Sequence, residues 1–565
     1  MKTAKKIVII GGVACGMKAA SRLRRRDPQA DITVIEKGEY LSYAACGLPF
    51  FLSGMVQDTN KLMDTPVGVV RDTLFFKNVK GITALTRTEA RAIDLQRKVV
   101  ETVDLATGAA AKIAYDSLVI ATGATPFVPP VDGADIKGIF TLATIHDGLA
   151  VKKYIAQQAV KKAVIIGGGL IGLETAEALC RLGCTVTIVE KLDRLLPVML
   201  DTDIALLLAR YLAAKGVQIL TEESVERFEG DQNGFLAAVI TRKQKLTADL
   251  AVIAAGVRPN TELARAAGLE IGLTGAIKVD SHLRTSDPAI YAGGDCVENI
   301  NCLTGRGVFA PMGSTANKHG RIIADNIAGD DVMWPGVLGT AICRLFDYTV
   351  ARTGLAEEEA ISLGYSVETA IVPGPDKPHF YQGAQPVIIK LVADKATGRL
   401  LGAQMIGPGD VAKRIEIAAV CLSFGATASH AATLDLAYAP PFSPAMDNMI
   451  TAVNVICNKL EGRALGISPL AVKQMLDRGD AIVFLDVRSP QEFSEMRIDH
   501  PAVMLLPLGK LRAEAETLPK DRPIIITCKT SLRAYEAQLI LQAKGFTDVK
   551  FMDGGLMAWP FAIAH

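Results

Sequence analysis

The sequence predicts an α/β protein of several domains, and three observations carry that expectation. Two stretches, beginning near Ile7 and Ala163, each read as an apolar run, a glycine-rich turn and a segment of helical period. Half of the 565 residues are apolar and 50 are glycine, which suits sheets covered by helices and joined by tight turns. After about residue 451 the pattern restarts as a shorter strand-and-helix unit. A chain of this length is expected to form three or four domains.

The first stretch is KKIVIIGGVACGMKAASRLRRR, followed by DITVIEKG. Gly11 and Gly16 fit a dinucleotide fingerprint, and Val13 holds its middle position. Glu36 closes the second strand, twenty residues after Gly16. A strand, glycine turn, helix and strand present backbone N–H groups and a helix N-terminus to a pyrophosphate, and the acid suits a ribose diol. The second stretch, AVIIGGGLIGLETAEALCRLGCTVTIVEK, carries all three glycines, Gly167, Gly169 and Gly172, and ends its strand at Glu190. Glu190 favours a free 2′-hydroxyl and hence NADH, while Lys191 and Arg194 leave NADPH open. Two such Rossmann-like units, 156 residues apart, imply two nucleotides, one FAD and one NAD(P)H. YDSLVIATGATP, with Thr122 and Gly123, and ADLAVIAAGVRPN, with Gly256, are apolar strands ending in small residues that can pass close to a cofactor. TSDPAIYAGGDC ends in Asp295, an acid suited to a polyol such as the ribityl chain of a flavin.

Composition excludes several classes. Lys plus Arg is 61 against 60 for Asp plus Glu, so bulk charge points neither to nucleic acid nor to a membrane surface. No apolar run approaches the ~20 residues that span a bilayer. The start, MKTAKKIVIIGGVACG, has the outline of a signal peptide, but its apolar run is broken by glycine and followed by Arg22, Arg24, Arg25 and Arg26 at helical density, which favours strand, turn and helix. Ten cysteines without C-x2-C spacing, and no HExxH, give no expectation of a metal and point to a reducing cytoplasm.

Two thiols stand apart from the rest. SYAACGLPF holds Cys46 with no second cysteine nearby. Its small neighbours and Gly47 let backbone approach a planar ring, and Pro49 can open a helix whose dipole favours thiolate. A lone thiol must cycle through a mixed disulfide, a persulfide or a sulfenic acid. PIIITCKTSLRAYEAQLILQAKGF reads as a strand, a six-residue loop from Cys528 to Arg533, and a helix. Such a loop can turn its N–H groups toward one point as an anion nest, with Arg533 adding charge or bracing it.

The order of these segments resembles the pyridine nucleotide–disulfide oxidoreductase family over about residues 1–450. The resemblance implies a FAD domain at 1–150 and 250–325, an NAD(P)H domain at 151–249 and a dimerisation domain at 326–450, with Asp295 on the flavin ribityl chain. SYAACGLP is similar to the single-cysteine branch of coenzyme A-disulfide reductases, NADH oxidases and NADH peroxidases. GVFAPMGSTANKHGR, VLGTAICRLFDYTVARTGL and LDLAYAPPFSPAMD resemble the coenzyme A members. The resemblance implies a homodimer in which Tyr438 reaches the other subunit's thiol. Tyr381, in FYQGA, matches the second position of a further tyrosine stretch, with Phe380 at the first. Ser42, Arg22 and Arg25 match coenzyme A contacts, whereas Ala45 stands where that branch commonly has Asn and Met446 where a Lys is expected. LDVRSPQEF and DGGLMAW resemble a rhodanese domain at 469–565, after a linker at 451–468. The implied activity is FAD-dependent, NAD(P)H-driven reduction of polysulfide, persulfide, coenzyme A persulfide or coenzyme A disulfide. Cys46 is then the redox thiol, Cys528 a persulfide carrier, and the partner a small sulfur or thiol compound. An NADH oxidase or peroxidase working through a sulfenic acid, and a sulfur carrier or redox-responsive binding protein, are the alternatives.

Overall fold

The computed structural model describes residues 4–564, and its contacts divide the chain into two compact units, Met1–Lys191 with Glu223–Val337, and Leu192–Glu222 with Leu338–His565.

In the first unit the apolar runs become parallel strands buried on both faces, which is why they read as continuous hydrophobic stretches. One sheet runs Ile290–Ala292, Ser117–Ile120, Lys6–Ile10, Asp31–Ile35, Thr83–Leu85. Its core includes Ile7, Ile9, Ile32, Val34 and Val119. Helices Ala14–Arg26 and Gly313–Ile327 pack on that sheet and on each other. A second parallel sheet pairs Thr185–Val189 with Lys162–Ile166, then Leu250–Ile253, then Ile139–Phe140. Each sheet carries its glycine turn at the C-terminal end of the strand that opens it, where α/β sheets bind ligands.

The second unit has an antiparallel sheet in the order Ala341–Leu345, Tyr348–Gly354, Leu400–Gly407, Pro386–Asp394, Val367–Pro375, covered by helices Val411–Ser423 and Asn448–Leu460. A parallel sheet follows in the order Gly466–Ile467, Val549–Met552, Ile524–Thr527, Val483–Asp486, Val503–Leu505. Ser468 caps the helix Pro469–Arg478, with Pro469 at its start and Gly479 ending it in the left-handed region, the asymmetry that helix termini favour.

Two sequence expectations shift here. The linker expected at 451–468 is helical as far as Leu460, because Met449, Ile450, Ala452, Val453 and Ile456 put a helical apolar stripe into the core. Residues 192–222, expected within the NAD(P)H segment, group with the second unit. There Lys390 Nζ, fully buried, pairs with Asp201 Oδ2 at 3.0 Å, Asp203 Oδ2 at 2.7 Å and Glu357 Oε2 at 2.7 Å. A buried ammonium needs such partners, and separating them would leave uncompensated charge. Lys459 does the same for Asp553 at 2.8 Å, pinning the helix Asn448–Leu460 to the end of the strand Val549–Met552.

Candidate functional site

The two glycine turns share one construction. A Cβ on Gly16 would lie 1.9 Å from the Gly11 carbonyl oxygen, and one on Gly172 would lie 2.1 Å from that of Gly167. Backbone is on the other side of each contact, so no side chain fits. Gly11 N–H donates to Ile35 O at 2.8 Å and Gly167 N–H to Val189 O at 2.9 Å. The closing acids grip the turns directly. Gly12 N–H donates to Glu36 Oε2 at 2.6 Å and Gly38 N–H to Glu36 Oε1 at 2.7 Å, while Gly168 N–H donates to Glu190 Oε2 at 2.7 Å. Charge-assisted bonds of this kind fix the shape of each turn. The middle position is different: nothing lies within 4 Å of a Cβ on Gly169, and its counterpart Val13 precedes the helix Ala14–Arg26.

The small-residue segments meet at one seam. Ala124–Pro126 pairs antiparallel with Val257–Pro259. Thr122 Oγ1 donates to Asn260 O at 2.7 Å, Asn260 Nδ2 donates to Thr122 O at 2.8 Å, and Asn260 N–H donates to Gly123 O at 2.9 Å. Gly123 and Gly256 both take positive φ there. Asn260 drew no attention in the sequence, where it is only the last residue of a quoted segment. Asp295 lies beyond the strand Ile290–Ala292, and burial pushes its carboxyl up to about 6. Its Oδ1 is buried without a hydrogen-bond partner. The preceding turn is held by His319, whose Nδ1 accepts from Gly294 N–H at 3.1 Å and whose imidazole burial lowers to about 4. An orphaned buried acceptor costs about 1–3 kcal/mol unless something donates to it, so a polyol hydroxyl at Asp295 fits what the fold leaves unsatisfied.

Cys46 is exposed on a single 3-10 turn, Ala45–Gly47, and the next helix, Leu48–Leu52, has Pro49 in its first turn. That helix has five residues, so the dipole expected to favour thiolate is small. The turn is anchored from below by Leu48, Pro49, Phe51 and Leu52, all buried, and by Ala44 N–H donating to Leu62 O at 2.9 Å. Ser42 adopts a positive φ of 50° and its N–H donates to Gly12 O at 2.8 Å, so the cysteine stretch is tied to the first glycine turn. Tyr43, overlooked in the sequence, has its hydroxyl pushed up to about 12, first by burial and then by Glu36. Of the basic pair on the first helix, Arg22 Nε donates to the buried Asp325 Oδ1 at 2.7 Å, whereas Arg25 is exposed.

Tyr381, Tyr438, Cys528 and Arg533 belong to the second unit. Tyr438 and Tyr381 are both exposed, as are Phe380, Phe442 and Met446 around them in sequence. Cys528 is only 1% exposed and directly follows the strand Ile524–Thr527. The helix after it starts at Leu532, so the loop is shorter than the six residues expected and Arg533 lies in the helix's first turn. Leu556 N–H donates to Cys528 O at 2.9 Å and Met557 N–H to Lys529 O at 3.2 Å. A Cβ on Gly555 would sit 2.4 Å from Cys528 O, which explains the glycine in DGGLMAW. Ser531 takes the left-handed conformation, φ 84°, and its Oγ donates to Met552 O at 3.0 Å.

Glu492 holds Arg533, and the sequence reading did not single it out. Arg533 Nη1 and Nη2 donate to Glu492 Oε2 and Oε1, both at 2.7 Å, and this pairing draws the carboxyl down to about 2. Glu492 is placed by its own motif. Ser489 N–H donates to Glu492 Oε2 at 3.1 Å and Glu492 N–H to Ser489 Oγ at 3.2 Å, a capping box. Buried Arg488 locks the turn by donating to Asp486 Oδ2 at 2.7 Å and to Met496 O at 2.7 Å. The signal was present in LDVRSPQEF as S-x-x-E, a helix-start pattern, but its partner lies 41 residues away.

Comparison with known proteins identifies the family along most of the chain. Residues 5–313 match the pyridine nucleotide-disulphide oxidoreductase model, 340–450 the dimerisation domain of the same family, and 468–561 the rhodanese-like domain. The structure is similar to that of a NAD-dependent persulfide reductase from A. fulgidus, with a TM-score of 0.93, 43% identity and coverage of 98% of this chain and 100% of that one. It is also similar to reduced CoADR-RHD from Bacillus anthracis, with a TM-score of 0.92, 33% identity and 98% of each chain covered. An NAD(P)H coenzyme A polysulfide/persulfide reductase of Pyrococcus horikoshii is 38% identical over 452 residues, 80% of this chain and 98% of the relative. Among the described residues no helix is long and apolar enough to cross a membrane. The chain belongs to the pyridine nucleotide-disulphide oxidoreductases, flavoprotein NAD(P)H disulfide and persulfide reductases, and carries that family's dimerisation domain and a C-terminal rhodanese domain.

Proposed function

We propose that the protein is an NADH-driven reductase of sulfane sulfur, with Cys46 as its redox thiol and Cys528 as a second sulfur carrier. The observation that carries this reading is the exposed Cys46, whose stretch is tied by Ser42 to a dinucleotide turn and which has no cysteine partner. Its second sulfur therefore comes from the substrate.

Gly11, Gly16, Glu36, Thr122, Gly123 and Asp295 would hold FAD, and the unpartnered Asp295 Oδ1 supports that fit. Gly167, Gly169, Gly172, Glu190 and Gly256 would hold the nicotinamide dinucleotide, with Glu190 favouring NADH over NADPH. FAD, when bound, supplies the two-electron link between NADH and sulfur. Cys46 thiolate attacks the outer sulfur of R–S–SH; that S–S bond breaks and RS⁻ leaves with its electron pair, giving Cys46–S–SH. Two electrons delivered to the new S–S bond regenerate Cys46 thiolate and release HS⁻, NADH being oxidised to NAD⁺. Buried Leu48, Phe51 and Leu52 hold the thiol turn in place beneath an open face.

In the dimer that residues 340–450 support, Tyr438 and Tyr381, both exposed, would donate hydrogen bonds to the sulfur chain on the partner subunit's Cys46. Ser42 and Arg25 would contact a coenzyme A carrier, and Arg22, engaged by Asp325, would have to share its guanidinium. An oxidase or peroxidase using Cys46 as a sulfenic acid leaves the Cys528 loop without a role. The test is sulfide release from NADH and polysulfide. Cys46→Ser is expected to lose about 100-fold or more, and full turnover in that variant overturns the assignment.

A further inference from the structure

The charges around Cys528 cancel in pairs. Arg533 is clamped on both carboxylate oxygens of Glu492, and Asp486 is clamped by Arg488. Asp553, which follows the neighbouring strand, is paired with Lys459. The remaining loop cation, Lys529, is exposed, where solvent and salt screen it. Leu532, the residue between the loop and Arg533, presents an exposed apolar side chain. A dianion entering beside Cys528 therefore surrenders hydration without meeting an uncommitted buried cation, whereas an alkyl group finds an apolar surface.

We propose that the Cys528 loop takes sulfane sulfur from alkyl persulfides in preference to thiosulfate, and that Glu492 is the specificity-determining residue, because it neutralises Arg533. The inference rests on the reading of Cys528 as a sulfur acceptor and names its donor class. In the favoured reaction Cys528 thiolate attacks the outer sulfur of R–S–SH, the S–S bond breaks, and RS⁻ leaves with the electron pair, giving Cys528–S–SH. With thiosulfate the same attack expels sulfite, and two extra negative charges must be held beside the loop until it leaves.

The experiment uses the full-length Cys46→Ser protein, without NADH. The rate at which Cys528 gains one sulfur is followed by peptide mass spectrometry, with the persulfide of 2-mercaptoethanol or with thiosulfate as donor. The alkyl persulfide is expected to react at least about tenfold faster. Glu492→Gln, which frees Arg533 from its anion, should raise the thiosulfate-to-persulfide rate ratio at least about tenfold, and Glu492→Asp should leave that ratio low. A ratio unchanged or lowered in Glu492→Gln overturns the proposal, since a purely structural Glu492 would slow both donors alike. Arg533→Gln gives an independent arm. A further drop of about tenfold in the ratio would mean that Arg533 already serves thiosulfate, and would overturn the proposal as well. Transfer from both donors without preference refutes this inference alone, whereas transfer from neither also removes the carrier role of Cys528 under the proposed function.

Discussion

Cys46 and Cys528 are both single thiols at the start of a loop-to-helix transition, yet they are built in opposite ways. Cys46 is exposed, stands on one 3-10 turn before a five-residue helix, and is secured by apolar side chains underneath. Cys528 is buried, and its loop is secured by backbone hydrogen bonds from Leu556 and Met557 and by the Arg533–Glu492 clamp. On the proposed function, the first arrangement would give access to a bulky thiol carrier and to electrons. The second is a fixed polar cradle that, on the proposed function, would shelter a persulfide from water and from other thiols. On that reading, reactivity at Cys46 would be set by what can reach it, and at Cys528 by the field around it.

The largest effect expected from breaking this contrast is a division of labour between two serine variants. With NADH and free polysulfide, Cys46→Ser loses about 100-fold or more of the sulfide release, while Cys528→Ser stays within about fivefold of wild type, because polysulfide reaches an exposed thiol unaided. Equal losses in both variants with free polysulfide would show that sulfur passes through Cys528 on every turnover.

Next in size is Gly555→Ala. Its Cβ would meet backbone at Cys528 O, and φ at Gly555 is 54°, so the added methyl both clashes and strains the chain. The expected cost is about 1–3 kcal/mol in the rhodanese domain, with Cys528 persulfidation slowed at least about tenfold. Retention of FAD and of polysulfide reduction through Cys46 in the same protein would show that the two thiols are structurally independent.

What the sequence revealed and concealed follows from range. Gly16 and Gly172 were legible because their constraint is local: each meets the carbonyl of a glycine five residues earlier. Val13 looked like a defect in the first fingerprint, yet its counterpart Gly169 has no neighbour within 4 Å, so the fold itself does not demand glycine at the middle position. Glu492 was hidden although it lay in a quoted motif, because its meaning depends on Arg533, 41 residues further along the chain. The grouping of residues 192–222 with the second unit was hidden for the same reason, since Asp201 and Asp203 meet Lys390 only in the folded chain. Periodicity and turn chemistry are written within about one helix length of sequence. Ion pairs between distant elements leave no such trace.

The Glu492 clamp also predicts an acid limb. Its folded carboxyl titrates near 2, well below the ordinary value of 4.5, because Arg533 favours the charged form. A depressed acid contributes stability that is fully present above its unfolded value and is lost as pH falls from about 4.5 toward 2. The pair is about one-third exposed, so the effect is modest. Urea unfolding of wild type and Glu492→Gln should differ most near pH 6 and converge as pH falls through 4 toward 2. A constant difference across that range would mean that Glu492 supports the domain by packing rather than by charge.

The smallest effect separates backbone from side chain at the loop itself. Ser531 occupies a left-handed conformation, φ 84°, in which a residue with a Cβ is strained by about 1 kcal/mol, and its hydroxyl returns a similar amount through the bond to Met552 O. Ser531→Gly removes the strain and the bond together, so its stability should stay within about 0.5 kcal/mol of wild type. Ser531→Ala keeps the strain and loses the bond, so it should fall by about 1 kcal/mol. Cys46 has no such dependence, since its turn uses ordinary negative φ at Gly47 and rests on buried side chains. If Ser531→Gly instead slows Cys528 persulfidation while leaving stability unchanged, then the hydroxyl orients the cradle, and the field at Cys528 is set by one more donor than the Arg533–Glu492 clamp alone supplies.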